Sequence, residues 1–217
     1  MIDGGYDSGY SACPCFWGSE PGSLVAKLAT IIPLFQGLRV LDAGCGEGKN
    51  AFYLADKGAM VEAYDISGLA IQHAKDLKAK HQAMNISFRA EDIRTVELDL
   101  NSFDIVIAYG LTHCLASEAE IRSLMTQLQN STTNGGYLIL CAFNDRFQDL
   151  SAHPGFSPTL LPHTTYVSMF SAWNIIEASD KDLREIHPNN NIPHTHSMTR
   201  IIGQKRDPSV KAVSTNV

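Results

Sequence analysis

The chain has 217 residues, of which 44% are hydrophobic and 18% charged, a composition that indicates one globular domain rather than a disordered segment. Its formal net charge is −6, with 17 Lys and Arg against 23 Asp and Glu, which argues against nucleic acid as a partner because nucleic-acid-binding domains usually carry a basic surface. Five cysteines and no apolar leader argue against a disulfide framework, and no apolar run reaches the roughly 18 residues of a membrane span. We therefore expect a cytoplasmic protein, monomeric or homodimeric, that binds neither nucleic acid nor membrane.

The first 36 residues predict a lid followed by a helix. Residues 1–18 are rich in Gly, Ser and aromatic side chains and have the composition of a loop. Residues 19–35 predict a helix, with Ser19 as its cap and Pro21 in its first turn. We expect this N-terminal helical lid to be part of a single domain that occupies residues 1–207.

Between residues 40 and 143, short apolar runs alternate with amphipathic segments, which predicts strands and helices in turn. The predicted strands cover residues 40–41, 60–65, 86–90, 103–109 and 137–143. The predicted helices cover residues 49–57, 68–83 and 121–128. Because a strand that is followed by a helix and a second strand usually lies parallel to that strand, this order predicts a doubly wound α/β sheet.

The C-terminal part departs from this alternation. Residues 134–136 (Asn-Gly-Gly) predict a turn into the fifth strand, and residues 144–170 contain three prolines and no clear period, so we expect an irregular lid insertion there. Residues 173–178 and 197–203 predict two late strands that pair in antiparallel fashion. Residues 208–217 are expected to form a flexible tail.

A glycine-rich turn follows the first predicted strand and carries the strongest functional signal. Gly44, Gly46 and Gly48 alternate with other residues, and such a turn lets a ligand approach the backbone closely. A dinucleotide-binding turn has its third glycine one position later, and its pyrophosphate would meet the carboxylate of Asp42 at the strand end. S-adenosylmethionine (SAM) has an amino group that Asp42 can pair with, a sulfonium and no phosphate. The turn therefore favours SAM over a dinucleotide.

Two further acidic residues follow the next strands. Asp65 ends the second strand, where a carboxylate can accept hydrogen bonds from both hydroxyls of a ribose; a helix cap is the alternative role. Asp92 follows the third strand and is expected to accept a hydrogen bond from an adenine amino group, with Ile66 and Ile93 on the two faces of the ring. A solvated turn carboxylate is the alternative for Asp92.

Residues 41–50 (Leu-Asp-Ala-Gly-Cys-Gly-Glu-Gly-Lys-Asn) and 53–55 (Tyr-Leu-Ala) resemble the first motif of class I SAM-dependent methyltransferases, and in particular the TehB (tellurite-resistance) branch. The resemblance covers most of residues 38–205 and implies a Rossmann-like, seven-stranded, mostly parallel sheet whose last strand is reversed. It implies that the three glycines line the methionine moiety, Asp65 the ribose and Asp92 the adenine. The expected cofactor site also includes side chains of the turn, the next helix, the fourth strand and the lid: Cys45, Asn50, Tyr109 and Trp17.

Methyl transfer needs an aligned nucleophile and, for some acceptors, a base that removes its proton. His113 follows the fourth strand and is the first candidate for that base. The resemblance indicates His187 as the second, because TehB-like chains carry Glu-Leu-His-Arg where this chain has Glu-Ile-His-Pro at 185–188. The resemblance implies that this histidine and arginine together handle an anionic substrate in the branch, and this chain keeps the histidine and lacks the arginine. Its absence makes tellurite or selenite a minority option, with Arg200 aligned to a second arginine of the branch.

The methyl acceptor is expected to lie against aromatic and basic side chains of the lid and the late strands: Tyr10, Phe16, His194, His196 and Arg200. Trp17 and the other lid aromatics either contact the sulfonium through cation–π interaction or anchor the lid by packing. His194 and His196, with His187 or His163 as a third ligand, would also suit a metal. Their spacing matches no recognised zinc pattern, so no metal is predicted.

The function predicted from these residues is SAM-dependent transfer of a methyl group to an O, N or S atom of a small molecule. Two alternatives remain open. A non-catalytic SAM or nucleoside sensor, or a pseudoenzyme, would bind the cofactor without turnover. An NAD-linked oxidoreductase would bind NADH rather than SAM.

Overall fold

The computed structural model describes residues 6–81, 85–187 and 190–209. Seven strands in this part of the chain form one sheet: β1 (Arg39–Ala43), β2 (Met60–Asp65), β3 (Ile86–Ala90), β4 (Phe103–Tyr109), β5 (Thr132–Gln148), β6 (Trp173–Glu185) and β7 (His194–Lys205). The strands lie in the order β3-β2-β1-β4-β5-β7-β6. Strands β1 to β5 are parallel, and β7 is antiparallel to both of its neighbours. The predicted seven-stranded, mostly parallel sheet with one reversed strand is confirmed.

Helices cover both faces of the sheet: α1 (Tyr6–Ala12), α2 (Ser23–Ile31), α3 (Lys49–Asp56), α4 (Gly68–His81), α5 (Glu118–Ser131) and α6 (His163–Ser168). Successive side chains of a strand point to opposite faces, which divides the core into two layers. Val40 and Ile105 pack with α2, α3 and α4, whereas Leu41 and Val106 pack with α5 and α6. This doubly wound arrangement places the turns after β1, β2 and β4 along one edge, where such sheets bind ligands.

Helix α1 corrects the prediction for the N-terminal segment. The loop-like composition of residues 1–18 predicted no helix, yet Tyr6–Ala12 form one. Tyr10 and Phe16 pack against Ala70 of α4 in a small third core cluster. Burial of these aromatic rings therefore outweighs the weak helical preference of the local sequence.

Helix α2 begins later than predicted. Its N-cap is Gly22, so Ser19 and Pro21 lie in the preceding loop. The Gly22 N–H donates to Asn50 Oδ1 at 2.8 Å, and a Cβ at this position would lie 2.5 Å from the ring of Tyr109. Long-range packing against α3 and β4, rather than a side-chain cap, sets the start of this helix.

Strand β5 is longer than predicted at both ends. It contains the Asn-Gly-Gly segment expected to form a turn and the first residues of the expected lid insertion. Its register with β4 shifts between Phe103 and Ile105, and Gly135 has a left-handed φ of 79°, so the extra residues are accommodated as a bulge. The rest of residues 144–170 contains α6 between loops.

Four predicted features fall partly or wholly outside the described residues. They are residues 1–5 of the lid expected at 1–18, positions 82–83 of the helix expected at 68–83, Pro188 of the family-like motif, and residues 210–217 of the expected tail. Among the helices that the structure describes, none combines the length and the apolar composition needed to cross a bilayer.

Candidate active site

A cavity of about 790 Å³ opens at the carboxyl edge of the sheet. Its walls come from the turn after β1, the ends of β2 and β4, and the N-terminal segment that crosses above them. This volume is typical of a site that encloses a small ligand or a cofactor. The predicted cofactor-binding residues that line it are Trp17, Gly44, Cys45, Gly46, Asn50, Asp65, Ile66, Asp92, Ile93 and Tyr109.

The turn after β1 keeps its backbone open toward the cavity. The Gly44 N–H donates to the carbonyl of Tyr64 at 2.8 Å, which ties the turn to β2. Gly46 and Gly48 have φ values of 54° and 86°, in the left-handed region that favours glycine. A Cβ at Gly48 would also lie 2.6 Å from the ring of Phe88. Gly48 itself does not line the cavity, so the predicted ligand contact has no support, and what the structure shows for it is conformation and packing.

Asp65 at the end of β2 holds the turn and borders the cavity. Its Oδ2 accepts the N–H of Gly46 at 2.8 Å, and its Oδ1 accepts the N–H of Ser67 at 2.9 Å. Burial raises the pKa of Asp65, and these two N–H groups oppose the rise. Each carboxylate oxygen keeps a second lone pair for a ligand. The carboxylate is therefore fixed in a position suited to the two hydroxyls of a ribose.

Asp92 is paired with an arginine that the sequence reasoning missed. The Nε and Nη2 atoms of Arg94 donate to its carboxylate at 2.8–3.2 Å. Burial alone would raise the pKa of Asp92, but the hydrogen bonds from Arg94 outweigh it and lower that pKa. Asp92 therefore remains a carboxylate at the cavity wall beside Ile93, in a position that suits the predicted adenine contact.

Asp42 does not border the cavity, so the direct contact predicted with the cofactor amino group has no support. Its side chain lies behind the turn, only 1% exposed, and neither oxygen has a well-formed hydrogen bond within the described ranges. Burial raises the pKa of Asp42 to about 7, and the neighbouring Asp65 carboxylate adds to the rise.

The burial of Asp42 predicts a pH-dependent effect on stability. In the unfolded chain an aspartate loses its proton near pH 4, whereas folded Asp42 keeps it up to about pH 7. The folded state therefore binds more protons in this window, and its stability falls as the pH rises through it. We expect Asp42→Asn to raise the free energy of unfolding of the ligand-free chain by about 2–4 kcal/mol at pH 8, and by less than about 1 kcal/mol at pH 4. Urea unfolding at both pH values measures this, and equal effects would contradict the assignment.

Glu47 fastens the N-terminal segment to the glycine turn. Its carboxylate accepts the N–H of Cys15 at 2.9 Å and the N–H of Phe16 at 2.6 Å. Two residues further on, the Lys49 ammonium donates to the carbonyl of Trp17 at 3.1 Å. The lid over the cavity is thus held by side chains of the turn itself. Sequence reasoning missed Glu47, because a carboxylate between glycines gives no sign of a partner 31 residues away.

His113 borders the cavity and is 1% exposed. Its Nδ1 accepts the N–H of Phe143 at 3.2 Å, and the two rings stack with centroids 4.0 Å apart. Burial lowers the pKa of His113 to about 3, with a further contribution from His196 and His153, so the ring is neutral near pH 7. A neutral imidazole whose Nδ1 accepts a hydrogen bond carries its proton on Nε2. His113 is therefore arranged as a donor, which argues against the predicted role as a base.

Residues 34–191, well over half of the chain, match the model of a protein family described as a methyltransferase domain. The chain belongs to this family of SAM-dependent methyltransferases. The resemblance drawn from the glycine turn and the helix after it is confirmed. The family match also removes the support for an NAD-linked oxidoreductase.

Several curated proteins are similar to parts of this methyltransferase. Ubiquinone biosynthesis O-methyltransferase of Coxiella burnetii is 39% identical over 76 residues, which cover 35% of this chain and 32% of that protein. The probable S-adenosyl-L-methionine-dependent methyltransferase TehB of Haemophilus influenzae is 31% identical over 104 residues, covering 48% and 35% of the two chains. An uncharacterized methyltransferase of Schizosaccharomyces pombe is 30% identical over 125 residues, covering 56% and 85%. The chain thus spans about a third of the length of the first two relatives, 32% and 35%.

Two solved structures show the same fold. The crystal structure of TehB from Haemophilus influenzae superposes with a TM-score of 0.71 at 20% identity, over 85% of this chain and 62% of that one. The magnesium protoporphyrin IX methyltransferase (ChlM) of Synechocystis, solved with bound SAM, superposes with a TM-score of 0.68 at 17% identity, over 94% of each chain. The predicted class I methyltransferase fold is confirmed.

The predicted substrate-binding residues of the methyltransferase divide between the cavity and its surroundings. Tyr10 borders the cavity. Phe16 belongs to the N-terminal lid, and its ring packs in the third core cluster. Arg200 hydrogen-bonds to Ser23 at the start of α2, next to the cavity rim. Phe16 and Arg200 do not line the cavity, so direct contact with an acceptor is not supported for them.

The remaining predicted histidines lie together behind the N-terminal lid: His187, His194 and His196. None of the three lines the cavity, so neither the predicted base at His187 nor the predicted acceptor contacts are supported. His153 and Glu185 join them, although the spacing in the sequence predicted no metal site. His163, considered as a third ligand, lies apart, with its Nδ1 3.1 Å from Thr199 Oγ1. The sequence analysis did not identify His153, because this residue lies in an irregular loop and belongs to no motif.

Proposed function

We propose that this methyltransferase moves the methyl group of SAM to an O, N or S atom of a small molecule. The order of the strands supports a placement of SAM along the carboxyl edge of the sheet. Asp92 follows β3, Asp65 ends β2 and the glycine turn follows β1, so adenine, ribose and methionine would lie across successive strands. The methyl group of SAM would then lie toward β4, and the methyl acceptor would lie next to that group, beyond the end of β4.

Besides the residues proposed to hold SAM, the cavity has a mixed aromatic and polar wall that would face the acceptor. Tyr6, Trp17, His113, Cys114 and Glu185 border it. Aromatic rings provide apolar contact, while the few polar groups among them orient a ligand. This wall suits a small acceptor with an apolar body and one hydroxyl, amine or thiol.

The experiment that tests this function is transfer from methyl-labelled SAM to a panel of acceptors. The panel contains phenols, alcohols, amines and thiols, together with tellurite and selenite to test the minority option. We expect a labelled organic product with at least one class, and none with the Asp65→Ala variant. SAM binding without a product from any acceptor would favour a SAM sensor.

His113 is proposed to position the acceptor through its Nε2–H rather than to remove a proton. We expect His113→Gln, which keeps an N–H donor, to lower kcat by about 10-fold or less, whereas loss of a general base typically lowers it by about 10²–10⁴-fold. Because the pKa of His113 is lowered to about 3, the wild-type rate should show no step from this ring between pH 5 and 8. A step near neutral pH that disappears in His113→Gln would restore His113 as the base.

A further inference from the structure

Four histidines and one glutamate converge behind the lid, and we call this group the histidine cluster: His153, His187, His194, His196 and Glu185. Three separate parts of the chain supply it. His194 and His196 share one face of β7, because residues two apart on a strand point the same way, and Glu185 pairs with His194 at the end of β6. His153 comes from the loop after β5. All four imidazoles are buried.

Ligand atoms of four members of the histidine cluster, His153, Glu185, His194 and His196, all lie within 4.8 Å of one another, and His187 adjoins this set through His153. The Nε2 of His153 lies 3.2 Å from that of His194 and 3.3 Å from those of His187 and His196. The Oε1 of Glu185 lies 3.6–3.8 Å from the same three Nε2 atoms. Zinc–nitrogen bonds of about 2.0–2.1 Å place tetrahedral ligand atoms about 3.3–3.4 Å apart. The distances from His153 match this spacing, and those from Glu185 are a few tenths of an ångström longer, so the set is close to that of ligands around a common metal ion.

Hydrogen bonding between the rings does not account for this arrangement. The Nε2 of His153 either carries one proton to donate or one lone pair to accept with. It can complete one well-formed hydrogen bond, although three other Nε2 atoms lie within 3.3 Å. The other two contacts then compete for the same single proton or lone pair. A cation at the centre removes this conflict, because every lone pair can point at it.

The Nδ1 atoms of His194 and His196, on the far side of each ring from the cluster, are hydrogen-bonded as in metal sites. The Nδ1 of His194 lies 2.8 Å from the carbonyl of Ile192, which can only accept, so this Nδ1 carries the proton. The Nδ1 of His196 lies 2.8 Å from Gln148 Oε1, and the amide nitrogen of Gln148 donates to two backbone carbonyls. Both rings therefore direct an Nε2 lone pair into the cluster. Metal-binding histidines are typically fixed in this way.

We propose that the histidine cluster binds one divalent transition-metal ion of the zinc, cobalt and nickel group. A set of imidazoles with one carboxylate and no thiolate suits these ions better than Ca²⁺ or Mg²⁺, which prefer oxygen ligands. Glu185 also borders the cavity, and the ring of Trp17 lies 4.9 Å from that of His187. The ion would thus lie at the part of the cavity wall that Glu185 and Trp17 form.

The test titrates Co²⁺ into the full, untagged chain after metal has been removed with a chelator. Coordination by imidazole gives Co²⁺ visible absorption bands, and we expect them to saturate at one ion per chain and to vanish when Zn²⁺ displaces it. Zn²⁺ should also raise the Tm, because an ion that binds the folded state stabilises it. We expect His153→Gln and His194→Gln to abolish the bands, and Gln148→Ala to weaken binding by about 10–100-fold at unchanged stoichiometry.

His163→Gln is the matched control, since His163 lies outside the cluster, and it should bind Co²⁺ as the wild type does. If circular dichroism shows that a histidine variant is unfolded, Glu185→Gln keeps the side-chain volume and should still weaken binding. A wild type that shows no saturable Co²⁺ binding would overturn the proposal. Binding that is unchanged in both His194→Gln and Glu185→Gln would overturn it too. Neither result depends on methyl transfer, so the test is independent of the proposed function.

Discussion

Replacing Asp65 by alanine is expected to weaken SAM binding by about 10²–10⁴-fold. The carboxylate already accepts the N–H groups of Gly46 and Ser67, and each oxygen keeps a lone pair for a ribose hydroxyl. Charge-assisted hydrogen bonds contribute about 1.5–3 kcal/mol each, so two of them amount to about 3–6 kcal/mol. Calorimetric titration of SAM and of S-adenosylhomocysteine into wild type and variant measures the change.

Two controls separate the ribose contact from a general effect on the turn. Asp99→Ala removes an exposed carboxylate and should leave SAM binding unchanged. A 2′,3′-dideoxy analogue of S-adenosylhomocysteine lacks both hydroxyls, so wild type and Asp65→Ala should bind it with similar affinity. If Asp65→Ala weakens the analogue as much as SAM, the residue acts by holding the Gly46 N–H and not by binding ribose. Unchanged SAM affinity in a folded variant would contradict the proposed cofactor site altogether.

The elements that the sequence predicts well are those with a local period. Strands β2, β3 and β4 have the predicted bounds, and α3 and α4 begin where they were expected, because a short apolar run marks each strand and an amphipathic segment after a turn marks each helix. Helix α1 lacks such a signal, since its seven residues are stabilised by Tyr10 packing against α4. The start of α2 at Gly22 likewise depends on contacts with Asn50 and Tyr109, which no local pattern reveals.

The residues of the candidate site likewise divide into those that a local sequence pattern identifies and those that it does not. Gly46 and Asp65 belong to short motifs, so the residue types themselves indicate a SAM site. Which ring nitrogen of His113 carries the proton depends on the backbone N–H of Phe143, 30 residues away. The histidine cluster brings His153 to His194 across 41 residues, and a spacing pattern could identify only the pair on β7. Contacts between distant segments are therefore the part that the sequence alone does not predict.

The second large effect is expected for Glu47→Ala, which should open the lid and weaken SAM binding by about 10²-fold, or about 3 kcal/mol. Loss of the carboxylate leaves the N–H groups of Cys15 and Phe16 without their partner, and a buried, unsatisfied N–H costs about 1–3 kcal/mol. Cys15 also has a left-handed φ of 56°, a conformation that a non-glycine residue adopts only when its surroundings hold it there. Without Glu47, we expect this backbone to relax and Trp17 to move away from the cavity.

Three measurements follow this opening of the lid. The fluorescence of Trp17 should shift to longer wavelength as its ring reaches water, limited proteolysis should cut within residues 12–18, and calorimetry should show the loss of SAM affinity. Glu97→Ala, at an exposed position, is the matched control and should change none of them. Glu47→Gln keeps an acceptor oxygen without the charge and should fall between wild type and alanine. Because Glu47 sits between Gly46 and Gly48, an effect on the turn alone would lower SAM affinity without exposing residues 12–18 to protease. That outcome would show that the lid closes by packing of Phe16 and not through this carboxylate.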